Sequence, residues 1–435
     1  MKTFNKGGIH PPEYKLTADR QIEELPLPEE FRVMLSQCIG APSKPTVKVG
    51  EIVEQGEKIA EAGGFVGAPI HSPVNGTVVK IEPTRTPQGL WQDSIVIKPD
   101  LENPDKEFEK RQPGMVDMME PHELLNIIGE SGIVGLGGAT FPTRVKLSVP
   151  LGKKVDTVII NGAECEPYLT CDDRLMQEEA EKIVLGTMII MKITDAPEGI
   201  IGIEDNKPAA IAKIEEAIKP YSRLRLEVLQ KKYPQGSEKQ LIYALTGKRV
   251  PAGSLPIETG CVVDNVATAY AIYDCIYNNR PLFERIVTVT GDGFSNPGNF
   301  KVRNGTPLSF ILDFAGGIPE ETGKIIAGGP MMGRAVSSLE ATSTKGLSGL
   351  VAFNESRSMR RPMQPCIRCA QCVSACPMGL EPYLFMMQAQ NEIWEGMNAH
   401  GVMNCLECGC CSYICPSNRP LVDMIKLGKA NLRKK

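Results

Sequence analysis

Two cysteine repeats near the C-terminus restrict this chain more than any other feature of its sequence. The first repeat is Cys366-Ile-Arg-Cys369-Ala-Gln-Cys372-Val-Ser-Ala-Cys376-Pro377, and the second is Cys405-Leu-Glu-Cys408-Gly-Cys-Cys411-Ser-Tyr-Ile-Cys415-Pro416. Together they hold nine of the fourteen cysteines in the chain. Both follow the pattern C-x2-C-x2-C-x3-C-P, and we refer to them below as the first cassette and the second cassette.

This spacing is typical of proteins that bind two [4Fe–4S] clusters, in which the fourth cysteine of each run binds the other cluster. Three thiolates two residues apart converge on one cluster within a single tight loop, whereas the fourth lies further along and points to the neighbouring cluster. The pattern therefore predicts one [4Fe–4S] cluster on Cys366, Cys369, Cys372 and Cys415, and a second on Cys405, Cys408, Cys411 and Cys376. Pro377 and Pro416 are predicted in the first turn of the helices that follow, where no N–H donor is needed.

Two other uses of cysteine fit the sequence less well. A zinc ribbon would account for two CxxC pairs but not for the repeated third cysteine and the two Cys-Pro ends. A disulfide framework requires an oxidising compartment and a secretory signal, and the opening Met-Lys-Thr-Phe-Asn-Lys-Gly-Gly has no apolar core of a signal peptide. Cys410 is predicted to be a thiol beside the cluster rather than a ligand.

Composition restricts the compartment and the partners. The 435 residues predict three or four domains, and a net charge of −4 argues against nucleic acid as the main partner. The longest apolar run, Ile183–Met191, is far shorter than the ~20 residues that span a bilayer. We expect a cytoplasmic protein, and peripheral attachment to a membrane complex remains open at this point. The basic end Arg433-Lys-Lys is interpreted as a solvated helix end, with anionic lipid or an acidic partner as the alternative.

The first 112 residues favour a small β domain. Short apolar alternations bounded by glycine and Asn-Gly, such as Val47–Ala60 and Ile70–Ile81, predict hairpin strands. The pattern resembles the barrel-sandwich fold of biotinyl and lipoyl carriers. Those carriers present a modified lysine at a hairpin tip, and the predicted tip here, Pro73–Gly76, contains none. A carrier function is therefore not expected.

Helical and strand patterns alternate over residues 113–283, which predicts an α/β layer fold, and the family resemblance described below implies that it is Rossmann-like. Predicted helices are His122–Glu130, Arg174–Ile193, Pro208–Ile218, Glu238–Leu245 and Ala267–Tyr277. Predicted strands are Thr157–Ile160, Ile200–Ile203 and Leu224–Leu229.

Four stretches of this α/β domain carry residues suited to a ligand site. The loop Gly135-Leu-Gly137-Gly138-Ala-Thr-Phe141-Pro-Thr-Arg-Val-Lys146 follows a helix, so it is not the dinucleotide fingerprint, but its glycines allow close backbone approach to a phosphate or a flat ring. The others are Asn161-Gly-Ala-Glu164-Cys-Glu166-Pro, Tyr233-Pro-Gln-Gly236-Ser-Glu238 and Asp264-Asn265-Val-Ala-Thr268. Carboxylates at the carboxyl end of a strand lie where open α/β sheets bind ligands.

Together these four stretches resemble the flavin- and NADH-binding subunit of respiratory complex I. The resemblance implies that FMN lies against Gly135, Gly137, Gly138 and Lys146, and that Asn161, Glu164, Glu238, Asn265 and Thr268 line the flavin. It implies that Phe141 and Glu166 face NAD(H). One departure is Ala163, where complex I has an aspartate at the third position of the strand end.

The whole chain is similar to the RnfC family, a family of peripheral components of membrane-bound ferredoxin:NAD oxidoreductases, which also share its opening Phe4-Asn-Lys-Gly-Gly-Ile-His-Pro. This resemblance implies a barrel-sandwich hybrid domain over 1–112, an FMN/NADH domain over 113–283, a β-grasp domain over 284–352 and a helical two-cluster ferredoxin-type domain over 353–435. It further implies FMN, two [4Fe–4S] clusters, NAD(H) as substrate, and other subunits of a membrane complex as partners on the cytoplasmic side.

Three other functions remain open at this point. A cobalamin reductase of propanediol-utilisation compartments has nearly the same domain plan. A soluble NADH-dependent hydrogenase or formate dehydrogenase subunit uses a similar flavin site but lacks this combination of barrel and double cassette. A docking scaffold without flavin, whose clusters only relay electrons, is the alternative outside the enzymes.

Overall fold

The computed structural model describes residues 1–433, and Lys434 and Lys435 of the basic C-terminal end lie outside them. The chain has the four-part architecture that the sequence predicts, with a barrel sandwich, a Rossmann-like domain, a β-grasp domain and a helical cassette domain. In the described part of the chain, no helix has both the length and the apolar character that crossing a membrane requires.

The barrel sandwich consists of two small sheets that bury alternate residues between them. This part of the chain contains β1 Ile22–Glu24, β2 Phe31–Met34, β3 Lys44–Pro45, β4 Ile52–Val53, β5 Lys58–Glu61, β6 Ile70–His71, β7 Gly76–Arg85 and β8 Trp91–Pro99. Strand β1 does not belong to the sandwich and joins the β-grasp sheet described below. The four-stranded sheet has the order β2-β8-β7-β4, and the three-stranded sheet has the order β3-β5-β6. Phe31, Val33, Ile59, Ile95 and Ile97 fill the space between the sheets.

The segment Pro73–Gly76 is not the hairpin tip that the sequence predicts. It crosses between the two sheets, because β6 pairs with β5 while β7 pairs with β4 and β8. Asn75 holds the crossing in place. Its side-chain oxygen accepts a hydrogen bond from the amide of Gln55 at 2.7 Å, and its amide donates to the carbonyl of Asn103 at 2.9 Å. The Asn-Gly pair thus lies where the chain passes from one sheet to the other, and not at the tip of a hairpin.

The middle domain is a four-stranded parallel sheet covered by helices. Its strands are β9 Thr157–Gly162, β10 Glu198–Glu204, β11 Leu224–Leu229 and β12 Cys261–Asn265. The sheet order is β11-β10-β9-β12. Its helices are α1 Pro113–Met118, α2 Pro121–Glu130, α3 Thr143–Leu147, α4 Cys171–Glu178, α5 Ala180–Thr194, α6 Pro208–Ile218, α7 Glu238–Thr246 and α8 Val266–Tyr277.

The strand order creates a topological switch between β9 and β12. From β9 the chain adds β10 and β11 on one side and then returns to place β12 on the other side. Crossover connections therefore leave the two neighbouring strands in opposite directions, which opens a crevice at their carboxyl ends. Asn161 and Asn265, at the ends of β9 and β12, are paired across this switch.

The predicted helix Arg174–Ile193 is two helices. Glu179 adopts φ −130° and ψ 32°, outside the helical region, and separates α4 from α5. Gly186 of α5 packs against α8 so closely that an added Cβ would lie 1.9 Å from the carbonyl oxygen of Ala269. The break lets α5 pack along α8 while α4 keeps its own direction, with its first turn beside Glu164. Local helix propensity contains no information about this tertiary requirement.

The β-grasp domain forms a six-stranded sheet that includes the N-terminal strand β1. Its other elements are β13 Glu284–Gly291, β14 Gly298–Arg303, β15 Thr322–Ala327, β16 Arg334–Ala335, β17 Gly349–Asn354, α9 Leu308–Phe314 and α10 Glu355–Ser358. The sheet order is β1-β14-β13-β17-β15-β16, and β1 pairs in parallel with β14. Further upstream, Lys2 and Ile9 form isolated bridges with Leu229 and Tyr233 of the middle domain. The first 24 residues thus connect domains instead of joining the sandwich sheets.

The cassette domain is helical, and its helices are α11 Gln371–Ser374, α12 Pro382–Gln390, α13 Trp394–Ala399, α14 Cys410–Tyr413 and α15 Leu421–Leu432. The prediction that Pro377 and Pro416 start helices is wrong. Each proline is the second residue of a turn, closed by N–H donation from Gly379 to Cys376 at 3.1 Å and from Asn418 to Cys415 at 3.1 Å. Proline is favoured at the second position of a turn as well as in the first turn of a helix. The presence of proline alone therefore does not distinguish a turn from the start of a helix.

Candidate functional site

The glycine-rich loop and the ends of β9 and β12 meet at the crevice. An added Cβ on Gly137 would lie 3.2 Å from the Cβ of Asn265, so the loop passes directly over that strand end. The amide of Leu136 donates to the hydroxyl of Thr268 at 2.9 Å. Asn265 in turn caps α8 by accepting from the amide of Ala267 at 2.8 Å. The structure therefore brings together the predicted residues of three separate stretches.

The loop is closed at its base and open at its tip. The amide of Gly135 donates to the carbonyl of Phe141 at 2.9 Å, and the amide of Thr140 donates to the carbonyl of Gly135 at 3.1 Å. Gly137 and Gly138 are exposed, and Gly138 has φ +116°, a conformation that favours glycine. Within the described residues, a Cβ on Gly138 would meet nothing closer than 4 Å. The backbone therefore faces free space that a flat ring or a phosphate can occupy.

Asn161 attaches the fourth predicted stretch to the crevice. Its side-chain amide donates to the carbonyl of Gly236 at 2.8 Å, and its side-chain oxygen accepts from the amide of Ala163 at 3.2 Å. Ala163 is fully buried, and its carbonyl accepts from the ammonium of Lys207 at 2.7 Å. The position at which complex I has an aspartate is therefore packed into the base of the crevice in this chain.

Lys146 lies among acidic groups at the same edge of the sheet. Its ammonium donates to the carbonyl of Val263 at 2.7 Å and lies 3.5 Å from Asp264 and 3.6 Å from Glu238. Burial opposes the charge of this ammonium, but the two carboxylates outweigh burial and hold its pKa above the ordinary value. Burial also raises the pKa of Asp264, and Lys146 only partly offsets this effect.

Asp264 is a site residue that sequence reasoning did not assign. Its carboxylate is buried and lies 3.5 Å from the Lys146 ammonium, but neither oxygen accepts a hydrogen bond within residues 1–433. Buried polar atoms without a hydrogen bond are uncommon in folded proteins. Such an atom beside an open crevice fits a site that receives N–H or O–H donors from a ligand. Its adjacency to Asn265 was visible in the sequence, but its proximity to Lys146 depends on the fold.

The carboxylates of the two glutamates after β9 accept hydrogen bonds from backbone amides of the protein itself. The Glu164 carboxylate accepts from the amides of Asp172 and Asp173, at 2.7 and 3.2 Å, at the first turn of α4. The Glu166 carboxylate accepts from the amides of Met331 and Met332, at 3.0 and 2.8 Å, in the loop between β15 and β16. Glu164 thus holds a helix of its own domain, and Glu166 holds the β-grasp domain.

Burial raises the pKa of Glu166 to about 7, although the two amide donors and the nearby Lys15 favour the charged form. Phe141 is half-buried at the end of the glycine-rich loop. Phe141 closes the glycine-rich loop through its carbonyl, and Glu166 holds the β-grasp loop through its carboxylate. Their contact with NAD(H) stays a prediction.

Three side chains near α4 lie close enough together to resemble a metal site, but their hydrogen bonds to the protein explain the arrangement. Ligand atoms of Glu164, Cys171 and Asp172 lie within 4.8 Å of one another. However, both oxygens of Glu164 accept amide hydrogen bonds, and Asp172 accepts from the side chain of Asn265 at 2.7 Å. These bonds connect α4 to the crevice and account for the cluster of acidic groups.

The cassettes fold as two similar loops. Arg368 and Ala370 of the first cassette, and Glu407 and Gly409 of the second, have φ between +57° and +79° at matching positions. Repeated left-handed residues coil each loop tightly. Cys376, Cys405, Cys408 and Cys411 line one cavity. The fourth cysteine of the first cassette therefore faces the first three of the second.

The donor set of this cavity suits an iron–sulfur cluster. The four residues predicted as ligands are all thiols, and backbone amides donate to them. Leu380 donates to the Cys376 sulfur at 3.3 Å, and Glu407 donates to the Cys405 sulfur at 3.3 Å. Cys410 borders the same cavity and is fully buried. In the first cassette, Cys366 and Cys369 are exposed, and Cys372 and Cys415 are half-buried against the helical core.

A continuous apolar junction connects the crevice with the second cassette. Cys165, Tyr233, Met331, Cys408 and Cys410 pack into one cluster. The Tyr233 hydroxyl donates to the carbonyl of Cys408 at 2.8 Å, and the amide of Gly236 donates to the Cys165 sulfur at 3.4 Å. The same turn that binds Asn161 therefore also binds the second cassette.

An N-terminal segment, residues 7–9, closes this junction from the outside. Tyr233 and Ile9 exchange two backbone hydrogen bonds of 2.9 Å, and the amide of Gly8 donates to the carbonyl of Ala375 at 2.9 Å. Gly7 approaches the cassette so closely that an added Cβ would lie 2.5 Å from the carbonyl carbon of Cys376. The N-terminal residues thus hold the cassette domain against the middle domain.

Models of four known domain families match the chain in order. They are the RnfC barrel sandwich hybrid domain over residues 2–102, the Nuo51 FMN-binding domain over 128–274, the SLBB domain over 286–335 and a 4Fe-4S dicluster domain over 358–416. These matches cover each of the four parts of the fold described above.

Similar proteins extend over almost the whole chain. The RnfC-type component of the Na⁺-translocating ferredoxin:NAD⁺ oxidoreductase complex of Acetobacterium woodii is 42% identical over 98% of this chain and 96% of its own length. The corresponding component of the proton-translocating complex of Clostridium ljungdahlii is 42% identical over 91% of this chain and 86% of its own length. Among solved structures, an NAD⁺-reducing [NiFe]-hydrogenase covers 67% of this chain and 59% of its own at 20% identity, with a TM-score of 0.49.

Proposed function

Because the chain belongs to the RnfC family of ion-translocating oxidoreductase complexes, we propose that it exchanges electrons between NAD(H) and the other subunits of such a complex. It is an oxidoreductase subunit with an FMN-binding domain and a [4Fe–4S] dicluster domain. We propose further that it lies peripherally on the cytoplasmic side of the membrane. The observation that carries the proposal is the crevice at the β9–β12 switch, which one packed turn connects to the second cassette.

The crevice residues would hold FMN by its faces and edges. Gly137 and Gly138 offer exposed backbone, and Gly135 closes the base of the loop through its hydrogen bond to Phe141. Asn161, Asn265 and Thr268 fix the surrounding elements. Lys146 supplies a cation, and Glu238 and Asp264 supply acceptors beside it. When bound there, FMN would supply the conversion between two-electron and one-electron chemistry.

In this proposal, Glu164 and Glu166 hold neighbouring elements in place. Glu164 fixes α4 beneath the crevice through two amide hydrogen bonds. Glu166 fixes the β-grasp loop that carries Met331, which borders the junction. Phe141 remains the proposed stacking surface for the nicotinamide nucleotide, because it lies at the exit of the glycine-rich loop.

Eight of the nine cassette thiols divide into two ligand sets. We assign one [4Fe–4S] cluster to Cys366, Cys369, Cys372 and Cys415, and the other to Cys405, Cys408, Cys411 and Cys376. The shared cavity of the second set supports the exchange of the fourth cysteine. The second set lies on the crevice side of the domain, so electrons from the crevice reach it first.

The test is an anaerobic purification followed by cofactor analysis and addition of NADH. The expected result is one FMN and about eight irons per chain, with flavin absorption bleached by NADH before the cluster signals change. Clusters without FMN would favour a relay scaffold, and rapid reduction of cob(II)alamin would favour a cobalamin reductase. Reduction of the clusters by NADH at an unchanged rate after removal of FMN would refute the proposed route.

A further inference from the structure

A segment of the barrel sandwich reaches the rim of the crevice. The amide of Ile39 donates to the carbonyl of Thr140 at 3.2 Å, and Thr140 is two residues from the exposed Gly138 at the tip of the glycine-rich loop. Residues 39–42 around this contact are all exposed. The surface next to the loop tip therefore belongs to the barrel sandwich, a domain that carries none of the crevice residues assigned above.

The loop between β5 and β6 lies against this segment and carries an exposed phenylalanine. Gly40 is so close to the loop that an added Cβ would lie 1.8 Å from the carbonyl oxygen of Val66. An added Cβ on Gly63 would lie 2.1 Å from the carbonyl oxygen of Pro42. Between these two contacts, Phe65 is 83% exposed, whereas the other eleven phenylalanines of the chain are buried or half-buried. Phe65 thus differs from every other residue of its type in this protein.

The base of the same loop is fixed by a buried ammonium group. Lys345 of the β-grasp domain donates to the carbonyl of Pro69 at 2.8 Å and to the carbonyl of Gly132 at 2.7 Å. Pro69 ends the loop that carries Phe65, and Gly132 lies just before the glycine-rich loop. These two hydrogen bonds therefore hold the loop of Phe65 beside the approach to the crevice.

The two packed segments form a neutral, apolar surface. Residues 38–42 and 62–67 contain no charged side chain, and Ile39 is 50% exposed. A charged partner would find no counter-charge on these residues, whereas an exposed aromatic ring is suited to stacking on a flat, uncharged heterocycle. In NAD(H) the adenine is such a ring. When the nicotinamide lies at the crevice, the pyrophosphate places the adenine away from it, toward the rim.

We propose that Phe65 binds the adenine ring of NAD(H) by stacking, and that Ile39 packs against the edge of the same ring. The proposal rests on the function proposed above and adds the barrel sandwich to the nucleotide site. Phe65 acts on the affinity for the dinucleotide and takes no part in the hydride step, which occurs at the other end of the molecule.

Comparison of NADH with reduced nicotinamide mononucleotide tests this assignment, because the mononucleotide keeps the reacting ring and lacks the adenosine. Phe65→Ala should raise the NADH concentration that gives half-maximal bleaching rate by at least about fivefold, the lower end of the effect of losing a base–aromatic stack. The limiting rate at saturating NADH should be unchanged, and so should bleaching by the mononucleotide. Phe65→Trp, which keeps a stacking surface, should restore the affinity for NADH.

Binding of ADP-ribose to the oxidised holoprotein, measured by calorimetry, gives a second readout that requires no turnover. Phe65→Ala should weaken this binding by the same factor as for NADH. The matched control is Trp91→Ala, since Trp91 is an aromatic residue of the same domain that is 60% exposed at the start of β8. This control should bind all three ligands as the wild type does, and all rates are expressed per bound FMN.

Equal affinity for NADH in Phe65→Ala and the wild type would overturn the proposal. An equal loss with NADH and the mononucleotide, or an equal loss in Trp91→Ala, would overturn it as well. A wild-type protein whose flavin is not bleached by NADH would instead refute the function proposed above. The failure of this inference and the failure of that function therefore give different results.

Discussion

Single charged residues at the crevice show how burial and function combine at the scale of one side chain. Lys146 and Asp264 lie 3.5 Å apart, and Asp264 is almost fully buried. A buried charge that loses its partner is costly, because desolvation is no longer compensated. The pair therefore affects the stability of the crevice as well as its charge toward a ligand.

Replacing Lys146 with alanine should abolish FMN binding and destabilise the middle domain by roughly 3 kcal/mol, because it leaves Asp264 buried without a partner. FMN content and the apparent melting temperature measure the two effects. The double variant Lys146→Ala/Asp264→Asn is the matched control, since it removes the orphaned charge. It should recover most of the stability without recovering FMN, and an equal stability loss in both variants would contradict the explanation.

Glu166 should make stability depend on pH. Its pKa is about 7 in the folded protein against an ordinary value of 4.5, and burial is the main cause. Between these two values the folded state retains a proton that the unfolded state has released, so stability falls as pH rises through this window. The loss from this one group amounts to up to about 3 kcal/mol by pH 8.

The apparent melting temperature of Glu166→Gln, relative to that of the wild type, should therefore rise by several degrees between pH 5 and pH 8. Glu204 and Asp172, whose pKa values burial also raises to about 7, titrate in both proteins and cancel in the difference. Glu29→Gln, at an exposed position, serves as the control. A difference that is constant across this pH range would show that the proton on Glu166 has no effect on stability.

At the scale of the element, the glycine-rich loop and the cassette loops depend on left-handed residues. Gly138 has φ +116° and faces open space. A side chain there would strain the backbone and would also fill the volume proposed for FMN. The two effects can be separated, because other glycines share the conformation without the site.

Gly138→Val should eliminate FMN binding while both clusters still assemble, as measured by flavin fluorescence after denaturation and by iron content. The matched control is Gly50→Val in the barrel sandwich. Gly50 also has a positive φ, +91°, and open space around its Cβ position. Loss of FMN in both variants would indicate general unfolding, and retention of FMN in Gly138→Val would place the site elsewhere.

The shared cavity predicts which cluster depends on Cys376. Cys376→Ser should perturb the cluster of Cys405, Cys408 and Cys411, although these residues belong to the other cassette in sequence. Electron paramagnetic resonance of the reduced protein distinguishes the two clusters. Cys415→Ser is the complementary variant and should perturb the first-cassette cluster. The reverse pattern would show that each cassette uses its own fourth cysteine.

At the scale of the whole molecule, the N-terminal segment 7–9 couples the domains. Gly7 and Gly8 lie against the first cassette at Cys376 and Ala375, and Ile9 pairs with Tyr233 of the junction. Electron transfer across the junction depends on the cassette domain staying in this position. The contact uses backbone close enough that no side chain fits at Gly7.

Gly7→Val should therefore separate the cassette domain from the junction without removing either cofactor. The expected result is normal bleaching of flavin by NADH but slower subsequent reduction of the clusters, by at least about tenfold, in stopped-flow absorption. This estimate assumes loss of one close-packed contact of about 1.4 kcal/mol or more. Gly64→Val, at a position with open space, is the control. An unchanged rate of cluster reduction in Gly7→Val would show that segment 7–9 has no role in coupling the domains.

Much of this protein could be predicted from local sequence. The cassettes follow from cysteine spacing, because ligand geometry is fixed by the cluster and repeats in every chain that binds one. The strand Leu224–Leu229 and the helix Pro208–Ile218 have the predicted bounds, since hydrophobic periodicity and proline position are local signals. The α/β layer fold follows from the alternation of helices and strands.

Other features were decided only by the tertiary structure. Glu179 breaks a predicted helix because α5 must pack along α8, and Pro377 ends in a turn because the chain reverses there. Glu164 and Glu166 are predicted from the sequence to line the ligand site, and the structure adds that their carboxylates hold α4 and the β-grasp loop. Lys146 meets Asp264 only through the packing of α3 against the end of β12. Residue types and their spacing determine which chemical groups the chain contains. The packing of segments far apart in sequence determines which of these groups lie close enough to act together.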